Sequence, residues 1–443
     1  MVRPAHILLF CIASCFAACQ ATKTSRVGLS DRIESISRRV ESLRGESFRH
    51  RVVGRVLARE DLLRIYDSVS LDEADPADSA WDRMIWTIGF IDSLGALDGV
   101  ADSVDQASID AFYSRGVLWV VDGMLDSPQL DATIAHELAH ALQDQRWDLR
   151  KLYRAHRGLD QRLALQYLLE GEARLVETLY THPVSAPEKI LQRLPHLSLE
   201  AFRDTLRLAK GLDPEFVTLP TYHTYEQGAR ALAVRRLVGG WKAVDEWFST
   251  PPTSSCFLHP EDSCHKPMDP DPTGLFPVAK GWWLLREGRV GEHYMNILLS
   301  VWRESPKWLP DSEIKAKILL DEQPKEPNPD QTVSGWRGDR FQVLRDGEGN
   351  LALAWRTVWE DSISARGFQH AYQRVLVRKQ RDDSLYARTD RWSLFHDAQA
   401  GVWDRVERFG SEVWITEGVP GAKPFQYTLG KALPTTEPVL PRP

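Results

Sequence analysis

Two histidines four residues apart, with a glutamate after the first, are the residues of this chain best suited to chemistry: His136-Glu137-Leu138-Ala139-His140. On a helix such a pair shares one face, with about 6 Å between the two along the axis, so both imidazoles can reach one point. Neutral imidazole is a borderline ligand, and in an oxidising compartment this donor set favours Zn²⁺ over iron or copper. A catalytic zinc lowers the pKa of its water to about 7, and Glu137, one residue along, is placed to take that proton and later deliver it to a leaving amine. The five-residue pattern alone arises by chance in on the order of a per cent of chains this long, so its surroundings must carry the assignment.

A catalytic zinc needs a third protein ligand, and the next helical stretch offers Leu168-Leu169-Glu170-Gly171-Glu172-Ala173, with Glu177 beyond. This segment resembles the gluzincin metallopeptidases, whose third ligand is a Glu on the helix after the active-site helix. In their aminopeptidases that Glu lies in an Asn-Glu-Gly-Phe-Ala segment with another Glu seven residues on. The resemblance implies Glu170 as third ligand, with Glu172 as its competitor, because two residues that close cannot both face one ion on a helix. Glu177 is then either a surface carboxylate or a group that orients a ligand. Thermolysin-type gluzincins carry an Asp four residues after the ligand; Arg174 stands there instead.

The segment Thr224-Tyr225-Glu226-Gln227-Gly228-Ala229 is similar to the Tyr-Glu-Lys-Gly-Ala of the same aminopeptidases, which implies that the Tyr225 hydroxyl stabilises an oxyanion. Tyr222 and His223 are nearby alternatives, and a core aromatic is the competing role for Tyr225. In gluzincins the edge strand before the active-site helix binds substrate backbone. Residues 116–121 would then pair with an extended peptide, or else form a buried strand. The aminopeptidases' Gly-x-Met-Glu-Asn segment, which holds a free amine, is absent, so aminopeptidase activity does not follow. The likeness spans roughly residues 113–260, about a third of the chain.

The elements around these motifs read as α+β: a mainly helical gluzincin-like domain with a small sheet over 31–304, then a small α+β domain over 331–433. Apolar spacing predicts helices within 31–67 and over 81–94, 132–147, 160–180 and 222–237. Asp131 is the expected cap of the third and Gly239-Gly240 the end of the last. Residues 117–121 read as a strand, and the Pro-rich stretch 251–277 as loop. A helix over 294–302 precedes a linker or loop at 305–330. Beyond it, strands at 341–344, 351–359, 402–409 and 412–416 surround a helix at 364–376, and 434–443 reads as a tail.

Composition and termini bound the remaining functions. Charge is -7 over 443 residues with no long block of one sign, and the Arg-rich stretch 146–162 is interleaved with acids, which argues against a nucleic-acid partner. Residues 1–18 have the layout of a secretory signal. Phe16-Ala17-Ala18-Cys19 resembles a bacterial lipobox, which implies a lipid anchor on Cys19 and a tether over 19–30, with Phe in place of the usual Leu. Gln20, rather than Asp, after the anchor would suit outer-membrane sorting in a host with two membranes. Cys256 and Cys264 are then the two cysteines left in the exported chain and are expected to form a disulfide, with His259 packed against it. The expectation is an envelope lipoprotein that hydrolyses a peptide or protein substrate, using Glu137 and Tyr225 on one zinc ion held by His136, His140 and Glu170.

Overall fold

The computed structural model describes residues 28–73, 80–91, 109–183, 187–203, 215–262, 264–276, 281–304, 328–379 and 384–421. The signal segment, Cys19, nearly all of the tether, most of 305–330 and the tail lie outside them.

Helix α1 (Leu29–Arg44) forms where Ile33, Ile36 and Val40 recur at helical spacing, and all three are buried; Gly45, at φ 70°, ends it with a left-handed cap. Strand β1 (Val53–Leu57) interrupts the helical run expected over 31–67, and α2 (Arg59–Glu73) and α3 (Trp81–Ile88) follow. β1 carries Gly54 and Arg55 and lacks alternation, so only its partner 60-odd residues away makes it a strand. Strands β2 (Ala111–Ser114) and β3 (Val117–Val121) form a hairpin about Arg115-Gly116, both at positive φ as a two-residue turn requires. The sheet order is β1-β3-β2, with β1 parallel and β2 antiparallel to β3. β3 is therefore central, which corrects the reading of 116–121 as a peptide-binding edge. Among the described residues, the free edge on the hairpin side is β2.

Helices α4 (Leu130–Trp147), α5 (Leu149–Ala155), α6 (Leu159–Thr181), α7 (Glu215–Ser249) and α8 (Ser255–Leu258) make up most of the helical part. In α4 every residue from Thr133 to Gln143 is buried, so its polar side chains must find partners inside the protein. Gln129, not Asp131, occupies its cap position. Asp131 instead sits in the first turn and binds Arg32 of α1 at 2.9 Å. Gly239 (φ -147°) and Gly240 (φ 65°) leave helical geometry, so the first helical run of α7 ends there as expected and a second runs on to Ser249.

A glycine pair sets the spacing of α6 and α7. A Cβ on Gly171 would meet Gly228 backbone carbon at 2.5 Å, and one on Gly228 would meet the Tyr167 carbonyl at 2.7 Å. Only glycine permits this approach, and it brings Glu170 and Tyr225 to the same side of α4.

The second sheet is antiparallel, in the order β4-β5-β6-β10-β9-β8-β7. Its strands are β4 (Trp282–Gly288), β5 (Trp336–Asp346), β6 (Leu351–Trp359), β7 (Ser384–Arg388), β8 (Trp392–Asp397), β9 (Val402–Phe409) and β10 (Glu412–Pro420). β4, though N-terminal to the expected linker, pairs with β5 along most of its length. Helices α9 (Gly291–Glu304), α10 (Pro329–Val333) and α11 (Ser362–Lys379) accompany this sheet. One continuous apolar core runs from Trp81 and Leu163 through Tyr294 to Trp355, Phe368 and Ile415, so the helical part and this sheet are packed as one body. Asp339 of β5 ties them further: it accepts hydrogen bonds from Val290 N at 2.8 Å and Gly291 N at 3.1 Å at the start of α9, and from the indoles of Trp336 and Trp355.

Candidate metal centre

His136 and His140 project from one face of α4 toward Glu170 of α6, and the three are 4%, 2% and 0% exposed. The two Nε2 atoms are 3.2 Å apart and lie 3.4 and 3.5 Å from Glu170 Oε2. A tetrahedral ion with bonds of about 2.0 to 2.1 Å spaces its ligand atoms by about 3.3 to 3.4 Å. The triangle has the size of one face of that tetrahedron. His136, His140 and Glu170 thus form a buried group that could hold a metal ion.

The outer hydrogen bonds set which ring nitrogens face inward. His136 Nδ1 lies 3.2 Å from Glu177 Oε2, and a carboxylate there requires the proton on Nδ1. His140 Nδ1 lies 2.8 Å from Gln143 Oε1, whose amide is oriented because its nitrogen donates to Leu169 O at 3.0 Å and Glu172 Oε2 at 2.9 Å. Both Nε2 atoms consequently present lone pairs toward a carboxylate oxygen that has no conventional hydrogen bond. Three acceptors converging in a buried space repel one another unless a cation lies between them.

Without a metal, a proton takes that place. Burial alone pulls His136 down, but the facing carboxylates of Glu170 and Glu177 outweigh burial and raise it to about 10. Burial likewise pushes Glu170 up, and the facing imidazoles of His140 and His136 reverse this and hold it below the ordinary carboxylate range.

Glu137 is 1% exposed and accepts the backbone N–H of Tyr113 at 2.7 Å. In the hairpin register Ser114 and Phe112 bond across to β3, so the peptide groups of Tyr113 point to the free edge of β2, toward the centre. Tyr113 is held in turn, its hydroxyl donating to Asp144 Oδ2 at 2.9 Å and accepting Gly116 N at 2.9 Å. The Tyr225 ring lies parallel to that of His136, 5.8 Å between centroids and 18° between planes.

The structure separates the remaining candidates. Glu172, two residues past Glu170, turns away to Arg44 and Gln143. Arg174 binds Glu177 at 2.7 Å and Glu226 at 3.0 Å, so it anchors the carboxylate that orients His136. His223 faces the opposite way, with Nδ1 2.6 Å from the Tyr167 hydroxyl and Nε2 3.0 Å from Leu197 O, and burial pushes it down to about 4. Tyr222 packs against the large core. Cys256 and Cys264 are joined in a disulfide, and His259, within its loop, binds buried Glu292 at 2.7 Å.

Gln143, Tyr113 and Arg44 were missed from sequence. Gln143 carried a signal, standing one helical turn after His140 on the same face. Arg44, 128 residues from Glu172, carried none.

A family model described as Domain of unknown function (DUF8575) matches residues 284–426. That span runs from within β4 past the end of β10 and contains no residue of the centre. No curated protein and no solved structure matches the chain.

Proposed function

We propose that this chain is a zinc-dependent peptidase of gluzincin type. The observation that carries the reading is the convergence of His136 Nε2, His140 Nε2 and Glu170 Oε2 within 3.5 Å, with their lone pairs turned inward. Zinc held there would lower the pKa of a water to about 7 and polarise a peptide carbonyl. Glu137 takes the proton from the attacking water and passes it to the leaving amine, while the Tyr113 N–H keeps its carboxylate aimed. Tyr225, against His136, supplies a hydroxyl for the oxyanion. The free edge of β2 takes the substrate as an added strand, the Tyr113 carbonyl offering the first pairing.

The reading is tested by metal analysis of the purified protein and by hydrolysis of a denatured protein substrate with and without chelator. Glu137→Gln should keep the metal and lower turnover by about 10²- to 10⁴-fold. Stoichiometric zinc with no cleavage, unaltered by Glu137→Gln, would leave a second reading: an envelope protein that holds a metal and acts by binding. One observation favours it, since Glu137 at 1% and Tyr225 at 6% are as buried as the ligands, so a substrate requires opening.

The cell-envelope location rests on the lipobox at 16–19. No described helix is long and apolar enough to cross a membrane. Cys19→Ser should release the protein from the membrane fraction; continued sedimentation with membranes would refute the anchor.

A further inference from the structure

The two imidazoles of the centre are oriented by different devices. His136 reaches a carboxylate directly, Glu177, which Arg174 anchors. His140 reaches one through an amide: Nδ1 to Gln143 Oε1 at 2.8 Å, then Gln143 Nε2 to Glu172 Oε2 at 2.9 Å. The other oxygen of Glu172 accepts Arg44 Nε, and a further nitrogen of Arg44 binds Asp245. All three intermediates are buried, Gln143 and Glu172 at 2% and Arg44 at 5%. Arg44 also lies over the Trp241 ring, 4.5 Å from its centroid, and the Trp241 indole donates to Leu43 O at 2.8 Å. The last turn of α1 is thereby closed onto the segment of α7 beyond its kink. A cavity of about 10 Å³ beside Arg44, Gln143 and Glu172 has room for about one water, so this chain of contacts does not line a ligand pocket.

A buried ion pair is a poor source of net stability, because its desolvation offsets its attraction. What Arg44–Glu172 does supply is direction. An ionised Glu172 accepts only, so it draws the Gln143 nitrogen toward itself and leaves the amide oxygen facing His140. Were the amide reversed, its NH₂ would face Nδ1, the proton would move to Nε2, and His140 would have no lone pair for a metal. Leu169 O shares the same amide nitrogen but brings no charge.

We infer that Arg44, acting through Glu172 and Gln143, is a positioning residue that holds His140 in its metal-binding tautomer. This rests on the metal reading of the centre. The relay makes the N-terminal helix, outside the motif-bearing region, part of the metal site's equipment.

The test uses the full chain and two metals. Zinc affinity is measured by chelator competition, ligand geometry by the visible absorption of the Co²⁺-substituted protein, and folding by melting of the metal-free form. Arg44→Met with Glu172→Leu replaces the pair by apolar groups of similar volume, and Arg146, 2.7 Å from Asp245, still neutralises that acid. The expected result is an unchanged fold, zinc affinity lower by about 10- to 100-fold, and an altered Co²⁺ spectrum. Glu172→Gln, nearly isosteric, covers the case in which the double variant does not fold, and should move affinity and spectrum in the same direction by less. Arg44→Lys should recover part of the loss, since an ammonium keeps the charge but not the two-armed fork. Variants that bind zinc within twofold of the parent, with its Co²⁺ spectrum, would overturn the inference and leave the metal centre standing. A parent protein that takes up neither metal would remove the metal reading, and the relay with it.

Discussion

His136 shows most clearly how the site depends on what occupies it. Its pKa of about 10 in the metal-free protein means that metal must displace a proton at neutral pH, so binding should release close to one proton at pH 7 to 8. Titration calorimetry in buffers of different ionisation enthalpy counts that proton; a count near zero would contradict the assignment. Stability follows the same group. Because the folded value lies above the ordinary 6.5, the stabilisation from the imidazolium with Glu170 and Glu177 is fully present below pH 6.5 and lost as pH rises through about 10. The metal-free protein should therefore melt lower at pH 10 than at pH 7, while the metal-loaded protein loses much less. At this scale the sequence was highly legible. His136, Glu137 and His140 follow from spacing, because ligands on one helix face are a matter of local periodicity, whereas Glu170 was what the resemblance of its Glu-Gly segment to the gluzincins implied. Glu172 was the competitor that sequence left beside Glu170, and what occupies it instead is Arg44, a contact no local pattern encodes.

Between the elements, the glycine contact of α6 and α7 decides how closely Glu170 approaches the histidines. In an exposed helix Gly→Ala stabilises by roughly 1 kcal/mol. At Gly171 the added methyl would lie 2.5 Å from Gly228 backbone, which has no flexible end to move aside. Gly171→Ala should therefore destabilise by about 1 to 3 kcal/mol and weaken zinc binding together, as read by urea unfolding and chelator competition. A stabilised variant with unchanged metal affinity would show that the helices are not held this way. Helices α4 and α6 were readable because their apolar residues recur at helical spacing. β1 was not, since a strand with Gly and Arg at its centre depends on neighbours far along the chain; the helical break at Gly239-Gly240 was, because glycine leaves helical geometry at low cost.

The whole molecule hangs on the continuous core and on Asp339. Four buried donors converge on that carboxylate, two from the start of α9 and two indoles of the sheet. Asp339→Ala should cost more than about 3 kcal/mol, because each buried donor left unsatisfied costs about 1 to 3 kcal/mol. Loss should appear in both parts of the protein: Trp near-ultraviolet signals from the sheet and metal release from the helices should shift to the same lower denaturant concentration. Two separate transitions would mean that the parts are independent. By the same physics the stretch 284–426 alone should not fold stably, since its β6 packs against α3 and its α9 against α6 and α7 through the shared core.

By itself, then, the amino-acid order determined the α+β class, the helices that carry the motifs and the pairing of His136 with His140 on one helix face. Each of these follows from periodicity within a few turns or from residue chemistry. Only the tertiary structure decided that Glu170 rather than Glu172 faces the histidines, that β2 rather than β3 is the free edge beside Glu137, and that β4 joins the distal sheet. Those outcomes depend on which of several locally equivalent partners arrives from distant segments, and that is settled by burial and by the need of every buried charge for a neighbour.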